Sequence, residues 1–346
     1  MEISLQMKHK KKNNKILPVF LLLLLLIAAL LVILVAVGGK KEKKPAVSTE
    51  STEDTSSDTD KWQEGVISYN GKNYRYNTSI KNYLFLGVDQ DGPVVKAKDG
   101  ISGGQSDAMF LLVADDRNKT LSVIAINRNT MTNVKVYDED GEYVNTARLQ
   151  ICLQHGYGDG MRVSCLRSVD AVSELFYNLP ISGYLSMNMD ALPIINDAIG
   201  GVTVEVLDDL NNTAKNVSLK KGETVTLTGD EAYVYLRSRD TSVFDSAGER
   251  LNRQMQYMTA LFAKMKTVTE SNPSIFKTIN SSIKDYTVSS MDFVKLAEMS
   301  ADYTFDESHM YTIPGETVQG EVFEEYNVDD AALYEMILDI FYEPVD

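Results

Sequence analysis

Residues 83–88 read YLFLGV, residues 108–113 read AMFLLV and residues 121–126 read LSVIAI, and these three short apolar runs decide the fold. Each is continuous rather than alternating, the mark of a strand covered on both faces. The second and third are joined by the polar turn DDRNK at 115–119, so they are expected to form a central hairpin. The first run ends at Asp89. Asp107 stands just before the second, and Arg128 lies just after the third.

Working outward, residues 134–137 and 142–145 flank Asp140 and Gly141, a strong hairpin turn signal. Neither VYDEDGEY nor VDQDGP completes the ligand spacing of a calcium loop. Residues 147–155 read as weakly helical. Residues 168–179 place Val169, Val172, Leu175 and Phe176 at helical spacing, the pattern of core packing. A short helix starting at Asp190 is stopped by Gly200 and Gly201, and residues 202–206 alternate as a strand. Strand and helix therefore alternate, and the fold class is α/β.

Thr228 and Glu231 form a capping-box pattern opening a helix that ends near Arg237, and Ser246 with Glu249 repeats the pattern before a longer helix. On that longer helix Leu251, Met255, Met258, Phe262 and Met265 share one stripe, expected to be core, and Arg250, Arg253, Gln254 and Tyr257 share the adjacent one, expected at its edge. Further helices are expected over 293–301 and 331–341.

The N-terminus is different in kind. Residues 16–37 are apolar and uncharged, about 33 Å long as a helix, enough to span a bilayer. The run exceeds a signal-peptide core, so residues 1–15 are expected to be a cytoplasmic tail and 16–37 a single transmembrane helix at the cell membrane. Residues 45–60 are almost entirely Ser, Thr, Asp and Glu, too polar to order themselves, and a stalk is expected over 38–77 with an extracytoplasmic domain over 78–346. Cys152 and Cys165 are the only cysteines and, in such a compartment, read as a candidate disulfide.

The chain carries a net charge of -15, and residues 1–44 hold nine Lys and two Glu, leaving 25 basic and 47 acidic residues beyond them. That balance excludes a general nucleic-acid surface, so no nucleic-acid partner is expected. Against it, residues 237–254 (RSRDTSVFDSAGERLNRQ) hold Arg237, Arg239, Arg250 and Arg253, four of only ten arginines. Guanidinium groups clustered in an acidic chain suit carboxylate or phosphate oxygens, or else ion pairs with Asp240, Asp245 and Glu249. Three histidines, His9, His155 and His309, make a His-rich zinc site improbable, and no GxSxG elbow, Walker glycine loop or dinucleotide fingerprint is present. What remains is carboxylates and arginines at strand ends, where α/β sheets bind ligands, a set coherent with Mg²⁺ and a pyrophosphate.

In chain order the stretches NYLFLGVD (82–89), GGQSDAMFLLV (103–113), LSVIAINRNT (121–130), DAIGGVTVEV (197–206) and LTGDEAYVYLRSRD (227–240), with Arg250, Arg253 and Gln254, resemble the LytR-CpsA-Psr family of cell-wall glycopolymer ligases. The resemblance implies a three-layer α/β/α sandwich with a central mixed sheet and a long apolar pocket for a lipid chain. It also implies a phosphotransferase that moves an anionic glycopolymer, such as teichoic acid or capsule, from a polyprenyl pyrophosphate carrier to peptidoglycan. A phosphohydrolase or a non-catalytic lipid-carrier binding protein would use the same site. By matching position, Asp89 and Asp107 would hold Mg²⁺; Arg128, Arg148, Arg237, Arg239, Arg250 and Gln254 would contact the pyrophosphate; Asp89, Arg128 and Arg250 would be catalytic. Arg253 is expected to pair with a nearby acid instead. The chain departs from the family where PRD is usual and Asn127, Arg128 and Asn129 stand, with Asn129 expected to keep the orienting hydrogen bond. The loop between Asp89 and Asp107 is also longer than usual.

Overall fold

The computed structural model of the chain describes residues 65–291 and 303–345. The apolar run at 16–37 lies outside the described residues, as does the helix expected over 293–301. Among the described residues no helix is long and apolar enough to cross a membrane.

In chain order, β1 (Val66–Tyr69) and β2 (Lys72–Tyr76) precede the three apolar runs, which form β3 (Ile80–Val88), β4 (Ser106–Asp115) and β5 (Thr120–Ile126). The hairpin β6 (Met131–Tyr137) and β7 (Tyr143–Gln150) turns over Gly141, whose φ of 83° suits a glycine. One helical turn, α1 (Leu153–Gly156), leads to α2 (Arg162–Leu175), then β8 (Gly183–Asn188) and α3 (Ala191–Ala198), followed by Gly200 and Gly201. Next come β9 (Val202–Glu205), the short pair β10 (Leu210–Asn212) and β11 (Val217–Leu219), β12 (Thr224–Leu227), α4 (Gly229–Arg237) and the 26-residue α5 (Ser246–Ser271). The chain continues through α6 (Ile275–Ile283), β13 (Thr287–Ser289), β14 (Thr304–Thr312), the hairpin β15 (Gly315–Gln319) and β16 (Glu324–Val328), α7 (Asp330–Phe341) and β17 (Tyr342–Val345).

Six strands form the central sheet in the order β13-β8-β3-β4-β5-β14. The β3, β4 and β5 neighbours are antiparallel, as the turn at 115–119 predicts, whereas β8 runs parallel to β3 and β14 parallel to β5, so the sheet is mixed. Nearly every position of β3, β4 and β8 is buried, rather than every second one, so both faces are covered. Phe85 faces Phe110 across the β3–β4 ladder with both rings fully buried, and truncating either to Ala would cost about 3–5 kcal/mol.

Four expectations are corrected. The stalk does not reach residue 77: β1 and β2 pair over an Asn70-Gly71 turn with positive φ at both residues, and β17 from the far end of the chain adds to β2. Tyr76 is buried edge-to-face against Tyr342, 5.6 Å between ring centres, so the folded unit takes in residues from Val66 onward. Residues 147–150 are not helical but complete β7, with Arg148 opposite Asn133 and Gln150 opposite Met131. The capping box is present at α4, where the Glu231 amide donates to Thr228 Oγ1 at 3.3 Å and the Thr228 amide to Glu231 Oε2 at 2.8 Å, but it does not recur at α5. There Asp245 is the cap residue, left-handed at φ 57°, with its carboxylate held by the Thr317 hydroxyl and its amide by Glu324. The polar stripe of α5 also does not lie at an edge: Arg250, Arg253, Gln254 and Tyr257 are buried, while Met255 and Phe262 are only half-buried.

Candidate active site

The β3–β4 ladder pairs Gly87 with Ala108 but Val88 with Ser106, which leaves Asp107 as the extra residue of a bulge. A bulge takes a side chain out of the two-residue alternation and re-aims it. The Asp107 side chain is fully buried, and both of its oxygens are engaged. Oδ1 accepts from Arg128 Nε at 2.7 Å, and Oδ2 accepts from Arg250 Nη2 at 3.2 Å. Arg128 comes from the residues just after β5 and Arg250 from the second turn of α5, so one carboxylate joins sheet and helix. Burial pushes the Asp107 carboxyl up while Arg128 and Arg250 pull it back down. Burial also brings Arg250 down to about 9, against the pull of Asp107.

The remaining donors of Arg128 are held in turn. Its Nη2 donates to Gln105 Oε1 at 2.6 Å and its Nη1 to Asn129 Oδ1 at 3.1 Å. Asn129 Oδ1 also accepts from Gln150 Nε2 at 3.0 Å, and Gln150 donates to the Glu324 carbonyl at 2.8 Å. Asn129 therefore keeps an orienting bond to the arginine. The guanidinium plane of Arg128 is fixed on three sides, a rigidity that Lys could not offer.

Asp89 follows β3, with its amide bonded to the Gln105 carbonyl at 2.9 Å. Burial, reinforced by the charges of Asp107 and Asp91 and opposed by Arg237 and Arg128, pushes its carboxyl up to about 8. At the end of α4, the Arg237 guanidinium sits 4.9 Å over the Tyr233 ring and 3.7 Å from the Asp91 carboxylate. Arg239 is pushed down by burial and by the neighbouring charge of Arg128. Arg239 lines two cavities. One, of about 1070 Å³, is also lined by Asp89, Gln105 and Arg128; the other, of about 540 Å³, is also lined by Arg237 and Glu249. Asp107, Arg128 and Arg250 together carry one more positive than negative charge, and Arg237 and Arg239 stand beside them. Such an excess at an opening favours an anion with several oxygens.

The other expected site residues are placed differently. Gln254, one turn beyond Arg250, is buried, and its Oε1 has no hydrogen-bond partner among the described residues. Arg148 is exposed on β7 and donates to Asn327 Oδ1 at 3.0 Å, apart from the Asp107 group. Arg253 is structural, as expected: Nε donates to the Tyr235 carbonyl at 2.8 Å, Nη2 to the Ser238 carbonyl, and Nη1 pairs with Asp208. Cys152 and Cys165 are free buried thiols, not a disulfide. They face different neighbourhoods, Cys152 towards Arg128 and Asp107 and Cys165 towards His155 and Ser186, and burial pushes both thiols up to about 12. Gln105 and Gln150 were not singled out by the sequence; the signal available for Gln105 is its place two residues before Asp107.

Among the described residues no three His, Cys, Asp or Glu side chains gather into a metal cluster. Asp89 and Asp107 are nevertheless close enough for the charge of one to raise the proton affinity of the other. Two carboxylates in that relation suit a Mg²⁺ that completes its coordination with phosphate oxygens and water.

The model of the LytR_cpsA_psr family matches residues 41–338. A Halalkalibacterium halodurans protein named polyisoprenyl-teichoic acid–peptidoglycan teichoic acid transferase TagU is 27% identical over 206 residues, 58% of this chain and 59% of that one. A Bacillus cereus protein of the same name is 31% identical over 184 residues, 53% of this chain and 52% of that one. The chain thus spans between half and three-fifths of the length of these relatives. Among solved structures, a Streptococcus agalactiae protein superposes with TM-score 0.61 at 18% identity, over 76% of this chain and 87% of that one. B. subtilis TagV superposes with TM-score 0.57 at 21% identity, over 75% and 94%. B. subtilis TagT, solved bound to LI-WTA, superposes with TM-score 0.53 at 19% identity over 76% and 90%. These likenesses show a shared fold.

Proposed function

The chain belongs to the LytR-CpsA-Psr family, and from that premise we propose that it is a membrane-anchored, extracytoplasmic phosphotransferase of three-layer α/β/α architecture. It moves a glycopolymer from a polyprenyl pyrophosphate carrier to peptidoglycan. The observation that carries this reading is the surplus of guanidinium charge fixed by Asp107 at the mouth of a cavity, in a chain of net charge -15. The relatives named as teichoic acid transferases support it.

Arg128 and Arg239 line the larger cavity and Arg237 and Arg239 the smaller, where they would meet the pyrophosphate oxygens, and Arg250 shares the Asp107 carboxylate with Arg128. Asp107 is the orienting group: it holds Arg128 and Arg250 in place before any substrate arrives, so little reorganisation is needed as charge develops. Gln254, buried with a free carbonyl oxygen, is one turn away to accept a further donor. Asp89 and Asp107 would hold Mg²⁺, which when bound supplies further neutralisation of phosphate charge. Of the two carboxylates only Asp89 lines the cavity, so Asp89 takes the proton as a peptidoglycan hydroxyl attacks the glycan-side phosphorus. The new P–O bond forms as the pyrophosphate bridge breaks, and polyprenyl phosphate leaves.

The test is to incubate the protein with a lipid-linked pyrophosphoryl glycan, Mg²⁺ and peptidoglycan oligomers, with Arg128→Ala as control. Product joined to peptidoglycan is expected. Release of glycan phosphate alone would make the protein a hydrolase, and retention of intact lipid a binding protein. Equal turnover by Arg128→Ala would overturn the arginine assignment.

A further inference from the structure

Eleven large apolar side chains are exposed among the described residues, and eight of them stand on four segments around the arginine-lined cavities. Val95 and Ile101 lie on the loop that joins β3 to β4, between Asp89 and Gln105. Tyr143 and Val144 follow the tip of the β6–β7 hairpin, where Tyr143 packs edge-on against Tyr137, a wall of the larger cavity. Val243 and Phe244 stand on the loop from α4 to α5, whose Arg239, Asp240 and Thr241 line the smaller cavity. Val322 and Phe323 belong to the tip of the β15–β16 hairpin.

These segments are stitched together in two pairs. The Gly100 amide donates to the Glu139 carbonyl at 2.7 Å, joining the β3–β4 loop to the β6–β7 tip. The Asp245 amide donates to the Glu324 carboxylate at 2.9 Å, so Phe244 and Phe323 each stand immediately before a partner of one bond. Gln150, which steadies Asn129 beside Arg128, donates to the Glu324 carbonyl and ties that second pair to the arginines. Large apolar side chains gathered in this way mark an interaction surface.

Its form points to what covers it. Val322 is 84% exposed and Phe244 54%, and they stand on separate loops rather than along one groove. A rigid protein partner needs one continuous complementary surface, whereas a fluid interface closes around separate tips. The lipid tail of a polyprenyl carrier lies in a bilayer, and the cavities lined by the arginines are built from these same segments. The chain between the apolar run at 16–37 and Val66 can span at most roughly 100 Å, so it lets this end of the domain reach the surface that the run would cross. Lys96 and Lys98 share the exposed rim with Glu139, Asp140, Asp240 and Glu321. Opposite charges are thus mixed there, and burial of apolar side chains drives the contact rather than attraction to anionic headgroups.

We infer that the site end of the domain docks on the bilayer, with Val243, Phe244, Val322 and Phe323 entering the headgroup layer. The inference rests on the membrane-anchored, lipid-carrier reading above and deepens it by naming the surface through which the site meets its substrate.

The test uses the full-length protein with Trp62→Phe, which removes the only tryptophan, reconstituted in phosphatidylcholine vesicles with and without brominated acyl chains. Single tryptophans are then introduced as Phe244→Trp, Val322→Trp or Tyr177→Trp. Tyr177 lies beyond the far end of α2, a helix about 21 Å long that starts beside the β3–β4 loop, where the Ala97 amide bonds the Asp159 carbonyl. Emission from positions 244 and 322 is expected to fall about twofold in the brominated vesicles, as for side chains about 5–10 Å into the headgroup and acyl boundary. Emission from position 177 should be unchanged. The quenching should persist between about 0.05 and 0.5 M salt, where screened surface charges would let go. Phe244→Ser combined with Phe323→Ser should lower transfer from a long-chain carrier in vesicles about tenfold, and leave transfer from a short-chain carrier in solution unchanged. No quenching at 244 and 322, equal quenching at 177, or an equal loss of transfer with both carriers would overturn the docking surface. Cross-linking between copies without quenching would give the patch to a second copy and overturn it as well. Quenching is read without substrate, so a wild-type protein that transfers nothing from either carrier would remove the phosphotransferase reading and leave the docking result to stand by itself.

Discussion

Lowering the pH from 7 to 5 should destabilise the protein through one buried imidazole. His155 Nδ1 lies 3.0 Å from both the Gly103 and the Gly104 carbonyls, so it donates to them, and Nε2 faces the Cys165 thiol. Burial brings the ring down from 6.5 to about 4, against the pull of those carbonyls. The folded pKa is depressed, so the stability His155 contributes is present above 6.5 and is lost as pH falls towards 4. At pH 5 an unfolded His is almost fully protonated and the folded one almost fully neutral, which amounts to about 2 kcal/mol lost relative to pH 7. Urea unfolding followed by circular dichroism at pH 7, 6 and 5 would read this directly. Carboxylates lower stability in the same range, but they are common to the wild type and to His155→Gln. The variant starts lower and should lose about 2 kcal/mol less on going to pH 5. Parallel pH profiles for the two proteins would refute the assignment of a buried neutral imidazole.

Asp107→Asn leaves Arg128 and Arg250 without their shared anion and should cost about 3–5 kcal/mol, seen as a fall of roughly 10 °C in thermal melts; a cost under about 1 kcal/mol would contradict the fully buried pair. The Asp89 carboxyl, raised to about 8, holds a proton below that pH, so the stability this protonated group contributes is fully present below 3.8 and lost as pH rises through 8. Cation binding there must displace the proton, so Mg²⁺ affinity measured by calorimetry should rise up to about tenfold per unit between pH 6 and 8, and Asp89→Asn should flatten that dependence. Both cysteines should be silent to a thiol reagent in the native protein and titrate as two thiols in denaturant without reductant; a mass two units low in the unreduced chain would show a disulfide instead.

The central hairpin was legible because β3, β4 and β5 are continuous apolar runs with no competing helical spacing, and Asp89 and Arg128 follow directly as the residues at their ends. The bulge that exposes Asp107 to two arginines was not legible, since a one-residue shift in register leaves composition unchanged. Polar character placed Arg250, Arg253 and Gln254 at the edge of α5; their burial depends on partners such as Asp107 and Asp208 that are distant in sequence. Arg148 was assigned by analogy of position, and in the structure it is exposed on β7 and donates to Asn327. The stalk boundary fell too late because β1 and β2 are short and polar, and they are held by β17, which no local signal near Val66 announces. The spacing of Cys152 and Cys165 is compatible with a bridge, but each thiol is absorbed by a different set of neighbours.

The contact between Asp107 and Arg250 closes 143 residues of chain. Bringing ends that far apart together costs about 4 kcal/mol in chain entropy before any contact rewards it. The β4–β5 hairpin, by contrast, closes over the short turn at 115–119, and β3 pairs with β4 across the loop at 89–105, so both closures are far shorter and can form first. Folding therefore has an order built into it. A chain that has paired β3, β4 and β5 but not docked α5 already holds Arg128 against Asp107, yet it lacks the second guanidinium, so competence to hold a multiply charged anion arrives only with that long-range closure.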